Sequence, residues 1–127
     1  MVYALIRGDI VGKLSTHVLD TASGMPAAGM RIDLAFVEGS ALKCIGEFVT
    51  NAQGRTDMPL MEGPTMLPGT YQIEFHVAEY FRAQGSALPH PAFLEVVPLR
   101  IGIADPAANY HVPLLCSPWS YSTYRGS

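Results

Sequence analysis

Four histidines are the residues of this 127-residue chain best suited to acid–base chemistry. In addition, one arginine, Arg55, directly follows a turn. An imidazole titrates near neutral pH, so a positioned histidine can activate water, while a guanidinium stays charged and can stabilise an oxyanion. His17 and His111 fall within apolar segments, whereas His76 and His90 are expected at the surface. Taken singly, His17 and His111 are each more typical of a hydrogen-bonded structural residue than of a catalytic one.

Other chemical interpretations are weaker. Arg55 could simply pair with Asp57, which would contribute about 0 to 1 kcal/mol. Cys116 as a nucleophile with His111 as its base is disfavoured, because positions five apart on a strand face opposite ways. The four histidines lack the close spacing of a zinc site, so we expect no metal.

The bulk composition excludes several classes of protein. The net charge is −3 and no lysine or arginine cluster is present, which argues against nucleic-acid binding. No apolar run is long enough to span a membrane, and Met1–Gly12 does not resemble a signal peptide. Cys44 and Cys116 form no CxxC pair and are expected to be free thiols in a reducing compartment, so we expect a cytoplasmic protein.

Alternating apolar and polar residues, with turns between them, predict an all-β protein. One short helix is expected at Ala78–Gln84. Pro98 and Pro113 lack a backbone donor and should mark an edge, a bulge or a break. The predicted strands are Leu14–Asp20, Met30–Val37, Cys44–Thr50, Thr70–Val77, Phe93–Ile101, Tyr110–Cys116 and Tyr121–Arg125. This pattern predicts a two-sheet β-sandwich.

Three segments together resemble the 5-hydroxyisourate hydrolases, a family of transthyretin-like enzymes. The first is Leu14–Thr21 with the Gly- and Pro-containing turn after it, and the second is Gly54–Asp57. The third comprises Tyr110–Leu115 and then Tyr121–Ser127, which ends in Tyr-Arg-Gly-Ser. The resemblance runs from Leu14 to the last residue. Cys116, in place of a usual leucine, and Pro98 depart from the family pattern.

The resemblance implies a transthyretin-like sandwich that forms a homotetramer, a dimer of dimers, with active sites between the dimers. Residues 14–127 would form the hydrolase domain, and residues 1–13 an unassigned N-terminal extension. The reaction would convert the small-molecule substrate 5-hydroxyisourate to 2-oxo-4-hydroxy-4-carboxy-5-ureidoimidazoline in urate catabolism, without a cofactor. The implied catalytic residues are His17, Arg55 and His111, and the implied substrate-binding residues are Tyr124, Arg125, Gly126 and Ser127.

Chemically, we expect one of His17 and His111 to activate water as a general base. The other would orient the substrate or protonate the leaving nitrogen, and Arg55 would stabilise the oxyanion. The sequence does not decide which histidine takes which role. Two alternatives are a non-catalytic carrier on the same fold and a monomeric interaction module, because fold alone does not fix function.

Overall fold

The computed structural model of the chain describes residues 12–127 as two β-sheets packed face to face, with one α-helix. A 3-10 helix spans Gly63–Thr65, and the α-helix, α1, spans Val77–Ala83. The strands within these residues are β1 (Lys13–Asp20), β2 (Met25–Pro26), β3 (Arg31–Glu38), β4 (Ala41–Val49), β5 (Met61–Glu62), β6 (Gly69–Phe75), β7 (Val97–Ile103), β8 (Asn109–Cys116) and β9 (Tyr121–Thr123).

The first sheet has the strand order β2-β1-β8-β9, and β5 also pairs with β1. The second sheet has the order β4-β3-β6-β7. The ladders between neighbouring strands in both sheets are antiparallel, except that β1 and β8 run parallel over the whole length of both strands. This parallel ladder joins one strand near the beginning of the chain to another near its end.

The hydrophobic core lies between the two sheets. Strand side chains alternate in direction, so one face of each sheet supplies apolar residues while the other faces outward. Full burial of an aliphatic side chain contributes about 1.5–3 kcal/mol. The largest fully buried side chains are Leu14, Val18, Met30, Ile32, Leu34, Ile73, Phe75, Val77, Phe81, Val97, Ile103 and Leu114.

Helix α1 is anchored to the first sheet by a buried hydrogen bond. The Tyr80 hydroxyl donates to Asp20 Oδ2 at 2.9 Å. The other carboxylate oxygen of Asp20 accepts from the backbone N–H groups of Ala22 and Ser23, at 2.9 and 3.0 Å. Burial, and then the neighbouring Asp20 carboxylate, raise the pKa of Tyr80. These contacts fix the turn that follows β1.

The predicted two-sheet β-sandwich with one short helix is confirmed. Pro98 lies on β7, an edge strand, as expected. Pro113 lies on β8, an interior strand without a register shift, so the expectation of an edge or a bulge there is wrong. The ladder from β8 to β9 ends at the pair Leu114 and Thr123, just before Pro113. The missing N–H therefore falls beyond the end of the pairing with β9.

Some boundaries differ from those predicted. Val77 begins α1 instead of ending a strand, and β7 begins at Val97 instead of Phe93, which lies in a loop. Simple alternation along β3 would direct Ala35 outward with Arg31 and Asp33, but Ala35 is buried beside a register shift between Leu34 and Ala35. Most of the predicted N-terminal extension, residues 1–13, lies outside the described residues, and only Lys13 belongs to a strand. No helix within residues 12–127 has the length and hydropathy needed to cross a membrane.

Candidate active site

The parallel ladder between β1 and β8 places two sets of polar side chains side by side. Ser15 lies opposite His111, and His17 lies opposite Pro113. Leu14, Thr16 and Val18 alternate with these positions and are buried, so Ser15 and His17 project from the outer face of the first sheet. His111 is half-buried on that same face because paired residues in a sheet point the same way. The ladder therefore brings together residues that lie far apart in the chain.

A tight loop places Arg55 beside His17. Arg55 forms an isolated antiparallel bridge with His17, and the N–H of Val18 donates to the Gly54 carbonyl at 2.8 Å. Gly54 has a φ of 77°, and a methyl group at this position would overlap the Val18 carbonyl oxygen. Only glycine satisfies both conditions without strain. The loop is thus held against β1, with its arginine next to the histidine.

The hydrogen bonding of His17 defines which of its ring nitrogens is protonated. His17 Nε2 lies 2.8 Å from the backbone carbonyl oxygen of Gln53. A carbonyl oxygen can only accept, so Nε2 must carry the hydrogen and donate it. In the neutral ring, Nδ1 of His17 is therefore the nitrogen with the lone pair, which is the property a general base requires.

The His111 ring contacts Ser15 and has an altered proton affinity. Its Nδ1 lies 2.9 Å from Ser15 Oγ. Burial, and then the positive charges of Arg55 and His17, lower the pKa of His111. These effects favour the neutral form of the ring.

The last residues of the chain return to β8 next to this ring. The N–H of Gly126 donates to the His111 carbonyl at 2.7 Å, and the two residues form an isolated antiparallel bridge. A β-carbon on Gly126 would lie 2.7 Å from Cδ2 of the His111 ring. Glycine thus lets the backbone lie directly against the imidazole. An open concavity of about 340 Å³ lies here, lined by Lys13, Ser15, Arg55, Asn109, His111 and Ser127.

Two of the predicted substrate-binding residues point elsewhere in the single chain. The Arg125 guanidinium stacks on the Tyr110 ring, 4.3 Å from its centroid, and donates from Nη2 to the Asn109 carbonyl at 3.1 Å. Tyr124 and Arg125 line a neighbouring cavity of about 350 Å³ together with Tyr110 and β7 residues. Within one chain, the Tyr-Arg-Gly-Ser end thus divides between two cavities, and only Ser127 reaches the one with His111.

The alternative structural interpretations can be compared with these contacts. Arg55 is not among the ion pairs found in residues 12–127, and Asp57 accepts from Asn51 Nδ2 at 3.0 Å instead. Cys116 is fully buried, and burial and then Asp20 raise the pKa of its thiol to about 12, so it is packed as expected and is no nucleophile. Among the described residues, no group of three or more His, Cys, Asp or Glu is placed to hold a metal ion.

Sequence reasoning missed three residues that line the concavity: Lys13, Ser15 and Asn109. Strand periodicity could have identified all three. Lys13 and Ser15 precede His17 at strand spacing, and Asn109 precedes His111 in the same way, so all three share the outer face with the histidines.

Comparison with known proteins agrees with this architecture. Residues 14–126 match the HIUase/Transthyretin family. A 5-hydroxyisourate hydrolase of Rhizobium meliloti is 60% identical over 116 residues, covering 91% of this chain and 97% of the relative.

Solved structures with a similar fold include an enzyme and a transthyretin. The crystal structure of an (S)-allantoin synthase matches with a TM-score of 0.86 and 46% identity over 92% of this chain. This chain spans only 44% of that longer protein. Sea bream transthyretin in complex with thyroxine matches with a TM-score of 0.80 and 26% identity, over 90% of this chain and 94% of transthyretin. The sandwich is therefore of the transthyretin type.

Proposed function

This chain belongs to the HIUase/Transthyretin family, and we propose that it hydrolyses 5-hydroxyisourate to 2-oxo-4-hydroxy-4-carboxy-5-ureidoimidazoline. The chain is a hydrolase, because it is closely similar to the 5-hydroxyisourate hydrolase of Rhizobium meliloti over nearly the whole of both chains. The observation that carries the proposal is the meeting of Arg55, His111 and Ser127 in one concavity, with His17 bridged to Arg55.

The proposed reaction adds water to a ring carbonyl carbon and breaks the acyl C–N bond. One proton of the water is removed as its oxygen bonds to carbon, and the leaving nitrogen gains a proton as the bond breaks. The ring opens to give the carboxylate and the ureido group of the product. The negative charge that develops on the carbonyl oxygen is stabilised by the Arg55 guanidinium, which remains charged and has several N–H donors.

The two histidines take the proton-transfer steps. His17 is the candidate general base, because its Nε2 is occupied by the Gln53 carbonyl and its Nδ1 carries the lone pair. His111 is then the group that orients the substrate or protonates the leaving nitrogen. Its lowered pKa favours the neutral ring, which can orient the substrate by hydrogen bonding; to protonate the leaving nitrogen, the ring must first receive the proton that His17 takes from water.

The tail and a second subunit complete the proposed site. Ser127 lines the concavity, and Gly126 supports the His111 ring from the backbone side. Tyr124 and Arg125 are proposed to bind substrate within a homotetramer, a dimer of dimers, in which neighbouring subunits close the open face of each concavity. The exposure of Tyr124, at 61%, leaves it available for such a role.

The domain and its location complete the proposal. We assign the hydrolase domain to residues 14–127, and the family match over residues 14–126 supports this assignment. A cytoplasmic location is supported by the two free cysteines, one of them exposed, which suit a reducing compartment.

The proposal is tested by generating 5-hydroxyisourate with urate oxidase and following its decay and the chirality of its product. The chain should accelerate decay and give one enantiomer of the product. His17→Asn and His111→Asn should each lower kcat by about 10²- to 10⁴-fold, the range expected for loss of general acid–base catalysis. His90→Asn, in an exposed loop, is the matched control and should leave the rate unchanged.

A carrier on the same fold gives the opposite results. It would bind an aromatic ligand without changing the decay rate of 5-hydroxyisourate. Absence of acceleration by the wild-type protein, or full activity in both histidine variants, would overturn the proposed reaction or its mechanism respectively.

A further inference from the structure

We propose that Ser15 is a positioning residue that holds His111 in the tautomer with its hydrogen on Nε2, directed to donate to the substrate. The inference rests on the proposed function and divides the roles of the two histidines. His17 presents a lone pair on Nδ1, and His111 presents an N–H group.

The backbone places the Ser15 hydroxyl beside the ring. Ser15 and His111 are direct partners in the parallel ladder, so their side chains leave the same face of the sheet next to each other. The distance of 2.9 Å between Ser15 Oγ and His111 Nδ1 is that of a good hydrogen bond. Because both residues lie within eight-residue strands that are paired along their whole length, neither can shift without breaking the ladder.

The distance alone permits either direction of this hydrogen bond, and the proposal assigns the serine hydroxyl as the donor. A serine hydroxyl has one hydrogen to donate, whereas Nδ1 of a neutral imidazole is either a donor or an acceptor. Ser15 makes no other side-chain hydrogen bond to the described part of the chain, so its hydrogen is satisfied within the protein only by donating to Nδ1. Nδ1 is then the acceptor, and Nε2 carries the hydrogen of the neutral ring.

The groups around the His111 ring restrict its rotation and disfavour its doubly protonated form. Gly126 lies against the Cδ2 edge of the imidazole, so the ring cannot rotate away from Ser15 without meeting the terminal backbone. Arg55 and His17 disfavour the doubly protonated ring, in which the tautomer would have no meaning. A neutral ring with a fixed N–H can donate a hydrogen bond that orients the substrate while His17 takes a proton from water. The protonated His17 then gives that proton to the leaving nitrogen as the C–N bond breaks, which restores both rings to their neutral forms.

The experiment records two-bond ¹H–¹⁵N NMR spectra of the substrate-free protein, which distinguish the two neutral tautomers, and measures kcat and KM on the same samples. The variants are Ser15→Ala, which removes the hydroxyl, and Ser15→Thr, which keeps it. The control is Ser122→Ala, which removes an exposed hydroxyl from β9 of the same sheet.

The wild-type protein should show His111 with its hydrogen on Nε2. In Ser15→Ala, the His111 ring signals should move toward those of an exchanging mixture of the two tautomers. The kcat should fall about tenfold, which is less than the loss expected for removing a whole acid–base group, and KM should stay within about twofold of the wild-type value. Ser15→Thr should restore the wild-type spectrum and most of the lost kcat. Ser122→Ala should match the wild type in both measurements.

A hydrogen on Nδ1 in the wild type, a Ser15→Ala variant identical to the wild type, or a Ser15→Thr variant as impaired as Ser15→Ala would each overturn the inference. The spectra need no substrate, so this result is separate from that of the decay assay. If the wild-type protein fails to accelerate decay, the proposed function is wrong whichever tautomer His111 adopts.

Discussion

At the residue scale, the positive charge of Arg55 affects His111 as well as the oxyanion. Arg55→Gln should raise the pKa of His111, because one of the two neighbouring positive charges that disfavour its protonation is removed. Burial, the larger cause, remains, so the pKa should rise without reaching that of an exposed histidine. Titration of the ring ¹H signals by NMR measures the shift. Arg100→Gln on the second sheet is the control, and an equal shift in both variants would contradict this explanation.

The two cysteines should differ sharply in reactivity. Cys44 is exposed, whereas Cys116 is fully buried and has a pKa raised to about 12, so almost none of it is thiolate at neutral pH. A colorimetric thiol reagent should therefore label one cysteine in the native protein and two in denaturant. Cys44→Ser should abolish the native reaction. Rapid labelling of Cys44→Ser without denaturant would show that Cys116 is accessible.

Individual residues were predictable from sequence where strand spacing alone decides their direction. His17 and His111 face outward as the period of two requires, and Cys116 faces inward. The side chain of Arg125 was not predictable in this way, since its position over Tyr110 depends on a rotamer chosen by tertiary contacts. The position of Arg55 was not predictable from spacing either. It depends on the bridge between its loop and β1, and Asp57 bonds to Asn51 instead of pairing with Arg55.

At the scale of elements, the terminal segment should be sensitive to a single methyl group. Gly126→Ala would place a carbon 2.7 Å from the His111 ring, so the ring or the tail must move. We expect kcat to fall at least tenfold, while the free energy of unfolding changes by less than about 1 kcal/mol because the residue is terminal. The control is Ser122→Ala on β9, which removes only an exposed hydroxyl. Equal activity in both variants would contradict the close packing.

The anchor between α1 and β1 should contribute to stability. Tyr80→Phe removes the donor to the buried Asp20 carboxylate and should destabilise the fold by about 1–3 kcal/mol, the cost of leaving a buried acceptor unpaired. Urea unfolding followed by circular dichroism measures the change. Tyr121→Phe, which removes an exposed hydroxyl, should have no effect, and an equally stable Tyr80→Phe protein would show that the hydrogen bond contributes nothing.

Long alternating segments were located correctly from sequence, and short or irregular ones were not. β1, β6 and β8 have clear apolar periodicity and were found within a residue or two of their ends. The two-residue strands β2 and β5 have no periodicity to detect, because their pairing is imposed by β1. The start of β7 was misplaced because the apolar residues before Val97 belong to a loop.

At the scale of the whole molecule, the open concavity and the exposed aromatic residues favour an assembly. Phe93 and Trp119 are 70% and 59% exposed, and their rings lie beside each other at a tilt of 31°, with centroids 6.0 Å apart. Light scattering should give a mass about four times the 13.7 kDa of one chain. On dilution, activity per chain should fall together with the mass. A fully active monomer would exclude sites built from more than one subunit.

The parallel ladder also has a consequence for how the protein is made. Ser15 and His111 are 96 positions apart, so after β1 leaves the ribosome its long partner follows roughly 5–20 s later, at the usual rates of translation. During that interval, one edge of β1 is unpaired, and the nascent chain can neither complete its first sheet nor begin turnover. The proposed site can therefore form only after β8 and the residues that follow it have been synthesised.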